Sequence, residues 1–118
     1  MEKENHMSQE VTVLCGSSSY TRKFYLNEEF AGLPEGIRDE LKIMCVLFTA
    51  DVGGTLQVVF DEEGSLELQT QAEETDLLYD EIGSALKVKQ LQNTKQELFE
   101  ALELYYKVFF LGEELEED

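Results

Sequence analysis

Thr55-Leu56-Gln57-Val58-Val59-Phe60-Asp61-Glu62-Glu63-Gly64-Ser65-Leu66-Glu67-Leu68-Gln69-Thr70-Gln71 is the stretch that decides the fold class. Leu56, Val58 and Phe60 alternate with Gln57, Val59 and Asp61, and Leu66 and Leu68 alternate with Glu67 and Gln69. Period-two alternation puts every second side chain on one face of a strand. The intervening Asp61-Glu62-Glu63-Gly64 suits a type I turn closed by a glycine bulge. With Asp61 opposite Ser65, Phe60 faces Leu66 and Val58 faces Leu68. All bulky groups then share one face, so turn chemistry and hydrophobic pattern specify the same register. The other face is mostly polar and is expected to meet water or a partner.

Upstream, Val11-Thr12-Val13-Leu14-Cys15 is short, β-branched and alternating, which predicts a strand. Gly16 to Thr21 is turn chemistry, and Lys23-Phe24-Tyr25-Leu26 alternates again, so the two runs predict a second antiparallel hairpin. Pro34 suits the first position of a helix. Ile37, Leu41, Met44, Cys45 and Phe48 then follow at helical spacing. Ile43, Val46 and Ala50 lie on the opposite side of that helix, which predicts a back half buried all round. Asp51-Val52-Gly53-Gly54 ends it.

Downstream, Glu73-Glu74-Thr75-Asp76 reads as a helix entry favoured by the dipole, with Leu78, Ile82, Ala85 and Leu86 behind it at helical spacing. Leu86 to Lys89 also fits a strand. Thr94-Lys95-Gln96-Glu97 fits a capping box opening a helix from about Lys95 to Leu111, which Gly112 stops. The order β-β-α-β-β-α-α predicts an α+β, two-layer domain. Its antiparallel sheet has about four strands in two hairpins, with two or three helices on one face. The domain is expected over residues 10–112, between a disordered polar segment (1–9) and a disordered acidic tail (113–118).

The 118 residues include 26 acids and 9 bases, a net charge of −17. That sign argues against a nucleic-acid binder, because phosphate needs positive charge. Residues 60–118 hold seventeen of the acids and four of the bases, so the acidity sits in the second half. A hydrophobic share of 42% supports a packed core. The longest apolar run, Ile43 to Phe48, has six residues, where a membrane span needs about 20. Met1 to Glu10 has no apolar stretch, so no secretory signal is expected and a cytoplasmic location is. Two cysteines and one histidine argue against a disulfide scaffold and a zinc finger.

Chemistry-bearing motifs are few. Cys15 and Arg22 are separated by six residues, one more than the phosphatase loop has, and the segment after Arg22 reads as strand where that loop requires a helix N-terminus. His6 is the sole histidine, so Ser-His and Cys-His nucleophile schemes are not formed. Ser17, Ser18 and Ser19 offer an anion nest, but no P-loop lysine pattern accompanies them. Asp76, Asp80 and Glu81 cluster where helix-entry electrostatics already explains them, so no metal, cofactor or catalytic residue is assigned.

Three segments resemble a known family: Ile43 to Gly54, the hairpin through Phe60-Asp61-Glu62-Glu63-Gly64, and Ala101 to Gly112. The chain resembles, over roughly residues 10–112, small acidic proteins of unknown function from anaerobic Firmicutes, mainly clostridia. The resemblance implies a bacterial cytosolic origin and carries over no catalytic residues. The hairpin-helix-hairpin-helix order is also loosely similar to roadblock-type dimerisation domains, at the level of fold alone.

In the last helix, Leu98, Leu102, Tyr105 and Phe109 form one stripe at 100 degrees per residue. Phe99, Tyr106 and Phe110 flank it, and the apolar arc spans about 200 degrees, more than packing on one layer requires. The segment Leu78–Leu91 or a second copy must cover that edge. The leading expectation is a non-enzymatic interaction module, a homodimer with Phe99, Tyr106 and Phe110 at or near its contact, or a module with another protein partner. The alternative is a small-ligand or divalent-cation-binding domain, with its pocket between the sheet and Tyr105 or Tyr106. A third, an enzyme using carboxylates alone, would need a paired, buried set of them. Neither nucleic acid nor a membrane is expected as a partner.

Overall fold

A computed structural model describes residues 10–114; the expected disordered segments fall mainly on 1–9 and 115–118, outside the described residues. The elements follow the predicted order: β1 (Thr12–Ser18), β2 (Lys23–Leu26), α1 (Glu35–Val52), β3 (Thr55–Phe60), β4 (Leu66–Gln71), α2 (Glu81–Thr94) and α3 (Gln96–Phe109). The strands form one antiparallel sheet in the order β2-β1-β3-β4. The fold is α+β, as predicted.

The β3–β4 hairpin has the register its sequence specifies, with Phe60 opposite Leu66 and Val58 opposite Leu68. The Asp61 amide donates to the Ser65 carbonyl, and the Asp61 carboxylate accepts the amides of Glu63 and Ser65 at 2.9 Å each. Gly64 closes the turn at φ 89°, a region where a Cβ would clash.

β1 departs from simple alternation. Its pairing with β3 slips between Val13 and Cys15, so Leu14 is an inserted residue. The bulge brings Leu14 and Cys15, neighbours that a plain strand would send to opposite faces, into the same core. The strand also runs three residues further than predicted, through Gly16 and Ser17 to Ser18.

Pro34 sits one residue before α1, with extended backbone, rather than in its first position. Between β2 and α1 is a 3-10 turn, Glu28–Phe30, that the periodicity did not signal. The Asn27 side chain caps it by accepting the Glu29 amide. This turn delivers Phe30 into the core, fully buried.

The expected helix entry at Glu73–Asp76 is an irregular connection. α2 starts later, capped by Asp80, whose carboxylate accepts the Gly83 amide at 2.8 Å. The predicted capping box does not form. Thr94 ends α2, its hydroxyl donating to the Gln90 carbonyl, and Lys95 alone joins α2 to α3. Leu86 to Lys89 is helix, not strand. Among the described residues no helix is long and apolar enough to cross a membrane.

Candidate functional site

The predicted contact residues lie in the core. Phe99 and Tyr106 are buried and Phe110 is partly buried, so the premise that their edge needed an external cover is corrected. Phe30 covers Tyr106 and Phe110. Its ring stacks on Phe110 at 4.6 Å and on Tyr106 at 6.4 Å between centroids, and Phe60 stacks on Tyr106 at 4.3 Å. The Tyr106 hydroxyl is satisfied by the Thr12 hydroxyl at 2.8 Å. Val88 and Leu91 of α2 add partly buried cover. The buried face of α3 is therefore rotated towards Phe99 and Tyr106, and Phe109, expected in the central stripe, is 71% exposed. The same aromatic stack fills the space between the sheet and Tyr106 where a ligand pocket was expected.

α1 departs from expectation in the opposite sense. Leu41, Met44, Cys45, Phe48, Thr49 and Val52 face the sheet and are buried. The other side was expected to be buried as well, yet Ile43 is 59% exposed, Val46 41% and Leu47 61%. The reason is topological: α2 runs along one flank of α1, leaving a groove beside Ile43 and Leu47, and does not lie over them. α2 offers little apolar surface of its own to close the gap, since Ile82 and Leu86 also point to solvent. Two surface ion pairs hold the α1 flank: Lys87 to Asp51 at 2.5 Å and Lys95 to Glu40 at 2.9 Å. A groove of about 440 Å³, lined by Ile43, Met44, Leu47 and Leu91 among others, runs between α1 and α2.

The other flank of α1 borders a second cavity of about 500 Å³ under the β1–β2 turn. Its walls are Ser17, Ser18, Ser19, Arg22 and Lys23 from the hairpin, with Val46, Thr49, Ala50 and Gly53 from α1 and its end. The deeper hydroxyls are occupied. Ser17 donates to the Cys45 carbonyl at 2.7 Å and meets the Thr49 hydroxyl at 3.1 Å.

The remaining motifs resolve structurally. Cys15 and Cys45 are buried free thiols, sulfur to sulfur 3.8 Å apart. The bond to Cys45, then burial, then the charge repulsion of that neighbour hold Cys15 protonated far above the ordinary thiol range. Asp76 accepts the Tyr20 hydroxyl at 2.6 Å and the Leu78 amide at 3.1 Å, and Asp80 caps α2. No group of three His, Cys, Asp or Glu that could hold a metal ion occurs among the described residues.

The family model described as "Family of unknown function (DUF6145)" matches residues 11–114. The chain belongs to the DUF6145 family. No curated protein and no solved structure matches this DUF6145 chain.

Proposed function

We propose that this DUF6145 protein is a non-enzymatic protein-interaction module of the bacterial cytosol, and that it self-associates through the outer face of α1. The observation that supports this reading is the exposed ridge of Ile43, Val46 and Leu47. Large aliphatic side chains left in water over two adjacent turns are stabilised by any surface that removes them from it, at about 25 cal/mol per Å². A twofold pair of α1 helices is self-complementary. Antiparallel alignment centred between Val46 and Leu47 brings Ile43 against Ala50 of a second copy.

Sedimentation equilibrium at micromolar concentration tests it. The expected result is a concentration-dependent species approaching twice 13.5 kDa. A single species at 13.5 kDa across the range would reject self-association.

A further inference from the structure

We propose that the cavity under the β1–β2 turn binds a phosphate monoester of a small, largely apolar molecule, with Ser18, Ser19, Arg22 and Lys23 holding the phosphate. It is centred on the hairpin side of α1 and needs no second copy, although Val46 and Ala50, which line the cavity, also lie on the face assigned to self-association.

The charge of the lining comes first. On a chain of net charge −17, the charged side chains lining this cavity are Arg22 and Lys23, with no carboxylate among them. The grooves beside α1 and at the α2–α3 junction differ, because Glu40 lines both. Lys87 and Lys95 are committed to ion pairs, whereas Arg22 and Lys23 make none among the described residues. A pair of cations with no ion-pair partner among the described residues, in a strongly acidic chain, favours an anionic occupant.

Donor geometry points the same way. The turn's amides are already used: Ser19 donates to the Gly54 carbonyl and Arg22 to the Ser18 carbonyl. Ser18 Oγ accepts the amides of Tyr20 and Thr21 at 3.1 and 3.3 Å. With that oxygen engaged as an acceptor, what the hydroxyl has left to offer a ligand is its proton. The groups left to a ligand are two hydroxyls, a guanidinium and an ammonium. Four donor groups, two of them cationic and carrying several N–H each, suit the three terminal oxygens of a phosphate dianion better than the two of a carboxylate.

Backbone conformation is the third observation. Arg22 has φ 57° and is the one described non-glycine residue at positive φ. The left-handed region costs such a residue roughly 1–2 kcal/mol, and glycine would hold the same turn without that cost. Arginine there is explained by its side chain. Strained residues of this kind concentrate at binding sites. The apolar part of the ligand follows from Val46 and Ala50 on the facing wall, and about 500 Å³ lies within the roughly 300–1,000 Å³ of small-ligand sites.

Isothermal titration calorimetry at low salt, with phenyl phosphate and benzoate as probes, tests the proposal on the wild type, Arg22→Gly and Lys23→Gln. Phenyl phosphate is expected to bind saturably, and each variant to bind it at least about tenfold more weakly, the scale of losing one charge-assisted contact. Arg22→Gly is expected to melt no lower than the wild type, because glycine relieves the turn. Absence of saturable binding up to about 10 mM, the weak limit of specific recognition, would overturn the proposal. So would benzoate binding as tightly as phenyl phosphate, retention of wild-type affinity in either variant, or a loss of affinity that merely tracks unfolding in both.

Discussion

The outer face of α1 and the aromatic edge of α3 have similar sequence patterns and opposite fates. Each helix carries an apolar arc wider than one packing layer can use. On α3 the surplus is Phe99, Tyr106 and Phe110, and the chain takes it into its own core, covering Tyr106 and Phe110 by sending Phe30 in from a 3-10 turn. On α1 the surplus is Ile43, Val46 and Leu47, and no described element lies over it. Periodicity reports how wide an apolar arc is. Which arc receives a cover is set elsewhere in the chain, here by Asn27–Phe30 and by α2 running along one flank of α1.

The largest effect expected from this contrast is at Phe30. Phe30→Ala removes the ring that stacks on Phe60, Tyr106 and Phe110, and urea unfolding is expected to show a loss of about 3–5 kcal/mol. Leu47→Ala, measured at concentrations low enough to keep the chain monomeric, is expected to stay within about 0.5 kcal/mol of wild type. Equal losses at the two positions would erase the distinction between the faces.

A smaller effect concerns the layer between sheet and α1. The folded state keeps Cys15 protonated above its ordinary range, whereas the unfolded thiol ionises near pH 8.5. Folding therefore binds the extra proton, and this contribution is fully present below the unfolded pKa. It is lost as pH rises beyond that value, by up to about 1.4 kcal/mol per pH unit. Stability measured from pH 7 to 10 is expected to fall more steeply for wild type than for Cys15→Ala. Identical slopes would mean that the Cys15–Cys45 contact is not buried as described.

The smallest concerns one hydrogen bond. Tyr106→Phe leaves the stack in place and removes the partner of the Thr12 hydroxyl, so a loss of about 1 kcal/mol is expected. A loss comparable to that of Phe30→Ala would assign the stability of this edge to the polar pair and not to the rings.

The β3–β4 hairpin was legible to the residue because its turn and its alternation each determine the register. β2 and the end of α1 were legible for similar reasons, in alternation and in glycine. The bulge at Leu14 was not, since an inserted residue in a run of apolar side chains leaves the pattern unchanged. Phe30 was missed because a single 3-10 turn is too short to have a period; Asn27 ahead of two glutamates was the available signal. The start of α2 was misplaced because acids at Glu73–Asp76 satisfy the same electrostatic preference as the true cap at Asp80. Of the candidate sites, the serines and Arg22 were visible as residues. Their convergence with Lys23, Val46 and Ala50 depends on packing of the hairpin against α1, which no local pattern records.

α3's aromatic edge belongs to the chain's own core, and α1's ridge is the face proposed to meet a second copy. One paired measurement tests this contrast most directly: sedimentation equilibrium and thermal unfolding on Phe99→Asp and Leu47→Asp, side by side with wild type. Phe99→Asp is expected to abolish cooperative unfolding, because a charge at a buried site costs several kcal/mol. Leu47→Asp is expected to stay folded and to sediment at 13.5 kDa under conditions where wild type is expected to associate. A folded monomeric Phe99→Asp beside an unfolded or still-associating Leu47→Asp would contradict the contrast.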